Sequence, residues 1–175
     1  GPSPSWLCSS SRRRSSSGRA RSWHDDPYGS AVGSLPAAEV LRDPRFRITG
    51  VHFWQGNWNY NFWSNLRVGT LADDLRRIRE LGFNTIVLTV PWGVFQTDAD
   101  PPRYDAGAYD HLALVLDEAW RAGLYAILRV GTLERVPRGV AGESFSAPYV
   151  FFDERERHAY ADLFRETSAR LADKP

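Results

Sequence analysis

The sequence predicts a parallel α/β fold in which strands and helices alternate. Three apolar runs rich in β-branched residues have the length of buried strands, and each is followed by a segment with helical periodicity. Glycine closes the first two of these helices. The helix-to-strand connections are short and the strand-to-helix connections are long. This order is typical of βαβ units with parallel strands.

The first predicted unit begins with a strand at residues 48–54 (ITGVHFW), followed by a long loop at residues 55–65 (QGNWNYNFWSN). Thr70 is the expected N-cap of the next helix, with Asp73 at its third position, and Gly82 ends that helix. The apolar stripe of the helix consists of Leu71, Leu75, Ile78 and Leu81.

The second unit repeats the pattern, with an apolar strand at residues 84–90 (NTIVLTV) and a helix at residues 109–122. The connection between them, which holds Asp98, Asp100, Pro101 and Pro102, is expected to be a loop. Gly123 supplies the C-cap of the helix.

The third unit consists of a strand at residues 124–130 (LYAILRV) and a helix from about 153 to 172. Asp153 and Glu156 resemble a capping box at the start of this helix.

Long strand-to-helix loops favour a TIM (β/α)₈ barrel, because in that fold these loops gather at one mouth and build the active site. A complete barrel takes roughly 250 residues, so we expect only the first three βα units in this chain. A doubly wound sheet fits the same alternation. Its Gly-rich phosphate loop is absent after the first strand, where the sequence is GNWNYNFW.

Composition excludes several classes of function. The formal charge is +1, from 22 basic and 21 acidic residues, which predicts neither nucleic-acid nor membrane binding. Cys8 is the single cysteine, so no internal disulfide can form, and no metal-ligand spacing or Ser-His-Asp set is present. We therefore expect no metal and no cofactor.

Residues 1–30 are predicted to be a disordered Ser/Arg-rich tail, and residues 31–175 are predicted to be the barrel part. The sequence does not indicate a cellular location.

Aromatic and amide side chains are concentrated at the end of the first strand and in the loop after it. His52, Trp54 and Trp58 lie among Gln55 and several asparagines. Flat rings stack on the C–H faces of sugars while amides bond their hydroxyls, so we interpret these three residues as candidate contacts to an oligo- or polysaccharide. The alternative is that the rings pack against neighbouring loops.

Three further candidates follow the second and third strands. Trp92 lies where the second strand ends, with core packing as the alternative. Arg129, near the end of a buried strand, is expected to meet a carboxylate, because an unpaired buried arginine is costly. Glu134 follows the third strand, although Arg135 and Arg138 make a surface ion pair a competing interpretation.

With these residues in view, the chain resembles the clan of retaining β-glycosidases built on (β/α)₈ barrels, which includes cellulase-like enzymes and β-galactosidases. The similar stretches are GVHFW, DLRRIRELGFNTIVLTVPWGVFQ and PPRYDAGAYDHLALVLDEAWRAGLYAILRVG, which together span roughly residues 48–133. The β-galactosidase pattern continues after the arginine with proline, glycine and tyrosine, whereas this chain has Val130, Gly131 and Thr132. The sequence therefore does not identify the substrate sugar.

The resemblance implies a two-step hydrolysis of a β-linked glycan with retention, using one carboxylate at the end of strand four and another at the end of strand seven. We expect both beyond Pro175, so the catalytic residues are unknown and the isolated fragment should be inactive. Two alternatives stay open. One is a noncatalytic carbohydrate-binding or pseudoenzyme barrel, and the other is a nonglycosidic barrel enzyme with phosphate or metal ligands later in its sequence.

Overall fold

The computed structural model describes residues 35–56, 59–133, 135–140 and 153–174. The tail predicted at residues 1–30 lies outside this part of the chain. The helices are α1 (Ala37–Val40), α2 (Asn59–Phe62), α3 (Val68–Glu80), α4 (Trp92–Phe95), α5 (Ala106–Arg121) and α6 (Glu154–Arg170). The strands are β1 (Gly50–His52), β2 (Thr85–Pro91), β3 (Gln96–Ala99), β4 (Pro102–Tyr104) and β5 (Tyr125–Thr132).

The main sheet has the order β1-β2-β5, and both strand pairs are parallel. Thr85 is the register partner of Gly50 on one side and of Tyr125 on the other, so β2 is the central strand. The predicted parallel α/β arrangement is thus present in the described residues. The first strand is shorter than expected, because only residues 50–52 form it.

Helices cover one face of this sheet. Ile86, Leu88 and Val90 of β2 are fully buried and belong to the main core. The helices contribute Leu71 and Leu75 from α3, Leu112 and Val115 from α5, and Leu163 from α6 to the same core. The alternate sheet residues point away from the helices, because successive side chains of a strand lie on opposite faces. We call that side the open face; its Ile127 is 41% exposed, whereas Thr85, Thr89 and Tyr125 on the same side are buried.

Helix α3 begins three residues before the predicted start, so the assignment of Thr70 as N-cap was wrong. The N-cap is Arg67, and it has no capping bond from its own side chain. Instead, the side-chain oxygen of Gln55 accepts a hydrogen bond from the Arg67 backbone N–H at 2.7 Å. A distant glutamine therefore replaces the local cap. The predicted end is confirmed, since Gly82 follows the helix with φ of 91°.

The two connections predicted as loops contain regular structure. Helix α2 lies inside the first of them, and the second holds α4 and an antiparallel hairpin of β3 and β4. Helix α5 starts three residues earlier than expected, because the Asp105 side chain accepts from the Ala108 N–H at 2.9 Å.

The predicted cap of the last helix is confirmed. Asp153 is the N-cap of α6, and its carboxylate accepts from the backbone N–H groups of Arg155 at 2.8 Å and Glu156 at 3.2 Å. Within the described residues, no helix has the length and apolar character needed to cross a bilayer.

Candidate functional site

The carboxyl ends of β1, β2 and β5 lie along one edge of the sheet, since the three strands are parallel. We call this the mouth edge, and it is formed by His52, Pro91 and Thr132 with the residues that follow each of them. In parallel α/β folds, ligands bind at this edge because the strand-to-helix loops converge there.

His52 and Trp54 present exposed rings at the mouth edge. His52 is exposed, Trp54 is 38% exposed, and their ring centroids lie 5.5 Å apart at an interplanar angle of 46°. The two tilted rings make a shallow platform that a sugar ring can contact through its C–H groups. Trp58, the third predicted aromatic contact, lies outside the described residues.

Gln55 fixes the chain directly after Trp54. The glutamine is buried, and its amide nitrogen donates to a carboxylate oxygen of Asp74 at 2.7 Å and to the backbone oxygen of Arg67 at 3.1 Å. The Arg67 guanidinium donates in return to the Gln55 backbone oxygen at 3.0 Å. The sequence suggested that Gln55 was one of the amides available to a sugar, but these bonds make it a positioning residue for the Trp54 segment.

Two aromatic residues of the first loop pack inward. Phe62 and Trp63 are almost fully buried, and the Trp63 ring lies 5.2 Å from that of Phe95. The Trp63 indole N–H donates to the backbone oxygen of Thr89 at 2.8 Å. For these two rings the structure favours packing, the alternative considered from the sequence.

Trp92 has no exposed surface. Its indole N–H donates to the side-chain oxygen of Gln96 at 2.9 Å, and its ring meets the Tyr160 ring edge to face at 5.0 Å. Tyr160 donates to the backbone oxygen of Gly131 at 2.9 Å, and burial raises the pKa of its phenol. Core packing is again the interpretation that this geometry favours.

Arg129 is exposed on the open face, near the mouth edge. Its expected carboxylate partner is not found among the described residues, where no ion pair of Arg129 occurs. Glu134, the other candidate in this region, lies outside the described residues.

The aspartates after β2 are held by arginines. Both carboxylate oxygens of Asp98 accept from the Arg138 guanidinium at 2.9 Å, and these bonds lower the pKa of Asp98. Asp100 lies 3.4 Å from Arg155. Because the pairing with Arg138 keeps Asp98 ionised, Asp98 is a poor proton donor and serves the loop structure better than acid catalysis. Among the described residues, no cluster of three or more His, Cys, Asp or Glu side chains could hold a metal ion.

Thr89 was not among the residues predicted from the sequence to lie at this site. It lies on the open face beside Arg129 in the sheet register, and its side-chain hydroxyl is buried without a hydrogen-bond partner in the described part of the chain. A threonine inside an apolar strand was the available signal, but β-branched residues are common in strands for packing reasons alone.

Comparison with known proteins gives one family match and several similar structures. Residues 63–133 match the sequence profile of "Glycosyl hydrolases family 35". A GH5_18 variant from Streptomyces cattleya in complex with Manb1-4GlcNAc has a similar fold, with a TM-score of 0.62 and 20% identity over 74% of this chain and 32% of that chain. No curated protein sequence matches the chain significantly.

Two further solved structures show the same similarity. GH5_18 from Bifidobacterium longum has a TM-score of 0.62 and 17% identity over 74% of this chain and 32% of that chain. An exo-beta-1,4-mannosidase from an Opitutaceae bacterium has a TM-score of 0.61 and 21% identity over 72% of this chain and 22% of that chain. This chain therefore spans about a third or less of the length of these structures.

These matches confirm the predicted resemblance to glycoside hydrolases built on the (β/α)₈ barrel. At such identities the solved structures establish the shared fold alone: a mixed α/β fold similar to that of the GH5 barrel enzymes, over about three quarters of this chain.

Proposed function

We propose that this chain forms part of the substrate-binding mouth of a glycoside hydrolase that cleaves a β-linked glycan with retention. The observation that carries the proposal is the exposed pair of His52 and Trp54 at the mouth edge, held in place by buried Gln55. The family match at residues 63–133 supports the reaction class.

In this proposal the Trp54 ring stacks on the apolar face of a sugar unit, and His52 offers a ring nitrogen to a hydroxyl. Retention requires two carboxyl groups about 5 to 5.5 Å apart across the scissile bond. The resemblance places the catalytic carboxylates at the ends of strands four and seven, so we assign both to residues outside this chain. Asp98 and Asp100 are engaged with arginines. Residues 1–175 alone should then bind the glycan weakly and hydrolyse nothing.

β-Mannosides are the first substrates to test, because the similar structures include a complex with Manb1-4GlcNAc and an exo-beta-1,4-mannosidase. Binding of Manb1-4GlcNAc to residues 1–175 is measured from indole N–H shifts in NMR spectra. We expect a millimolar Kd that Trp54→Ala weakens about tenfold. Trp120→Ala is the matched control, since Trp120 lies against Tyr125 at the opposite edge of the sheet.

Equal affinity of the Trp54→Ala and Trp120→Ala variants for the disaccharide would refute the proposed stacking of the Trp54 ring on a sugar unit. The same samples are incubated with 4-nitrophenyl β-mannoside. Release of nitrophenol well above the buffer rate would contradict the proposed inactivity of residues 1–175.

A noncatalytic carbohydrate-binding barrel is the second candidate, favoured by the same exposed rings and by the pairing of Asp98 and Asp100 with arginines. Sequencing the coding DNA beyond the codon for Pro175 separates the two. A frame that supplies two strand-end glutamates supports the hydrolase, whereas a frame with further strands but without those acids supports the binding protein.

A further inference from the structure

We draw no further inference here: the strongest candidate, the apolar groove between α1 and the amino ends of β2 and β5, lined among others by Val40, Phe46 and Ile127, carries nothing, because it lies on the sheet face that the rest of a (β/α)₈ barrel would cover and nothing in the described residues shows another occupant.

Discussion

Replacement of Gln55 by alanine should destabilise the chain by about 3 kcal/mol, although Gln55 lies in a loop. The side chain receives the Arg67 N–H at 2.7 Å and donates to Asp74 at 2.7 Å, with longer contacts to the Arg67 backbone oxygen at 3.1 Å and to the Thr70 hydroxyl at 3.3 Å. A neutral bond contributes about 1 kcal/mol and a bond to a charged group about 1.5 to 3 kcal/mol. The sum is a substantial part of the stability of a typical domain, about 5 to 15 kcal/mol.

The assay is urea denaturation of residues 1–175 followed by circular dichroism. Asn61→Ala is the matched control, because Asn61 is an exposed amide in α2, within the same strand-to-helix connection, and should change stability by less than about 0.5 kcal/mol. In a double-mutant cycle, Gln55→Ala and Asp74→Ala should show a coupling energy of about 1.5 to 3 kcal/mol. A Gln55→Ala variant as stable as Asn61→Ala would refute the positioning role, and with it the reason given for the fixed place of Trp54.

Three other perturbations test the loops and caps. Arg138→Gln should raise the pKa of Asp98 toward 3.8 in a carboxyl NMR titration. Because the folded state lowers this pKa, the ion pair stabilises the fold above pH 3.8, and this stabilisation is lost as the pH falls through the lowered pKa. Gly131→Ala, with φ of 79° and a clash with a tyrosine ring, should cost at least about 2 kcal/mol in urea melts, whereas Gly69→Ala, which has free space, should be neutral or stabilising. Asp153→Ala should lose about 1 kcal/mol through its missing helix cap, and an unchanged melt would contradict that assignment.

The regular elements of the fold were predictable because their signals are local. The continuous apolar run of β2, the helical stripe of α5 and the Asp153 cap each identify their element from neighbouring residues alone. The start of α3 was not predictable, because Gln55 caps it from a distant position in the chain. Helix α2 was missed for a similar reason, since its Phe62 is ordered by burial in the core.

The same distinction between local and distant signals applies to the candidate site. The end of a predicted strand correctly indicated where Trp54 and Arg129 lie relative to the sheet edge, because strand direction follows from the βα order. Whether a ring at that edge points out or in depends on partners elsewhere in the chain. Trp92 turns inward to Gln96 and Tyr160, and neither partner could be assigned to it from the sequence.

The order β1-β2-β5 also bears on how the chain acquires its structure during synthesis. Strands β2 and β5 each pair with the main-sheet strand that was made just before them. As the ribosome delivers the chain, β2 can join β1 and the helix α3 can close over them before β5 emerges. The order of strands across the main sheet is therefore the order in which they are synthesised, and no strand is inserted between two strands made earlier.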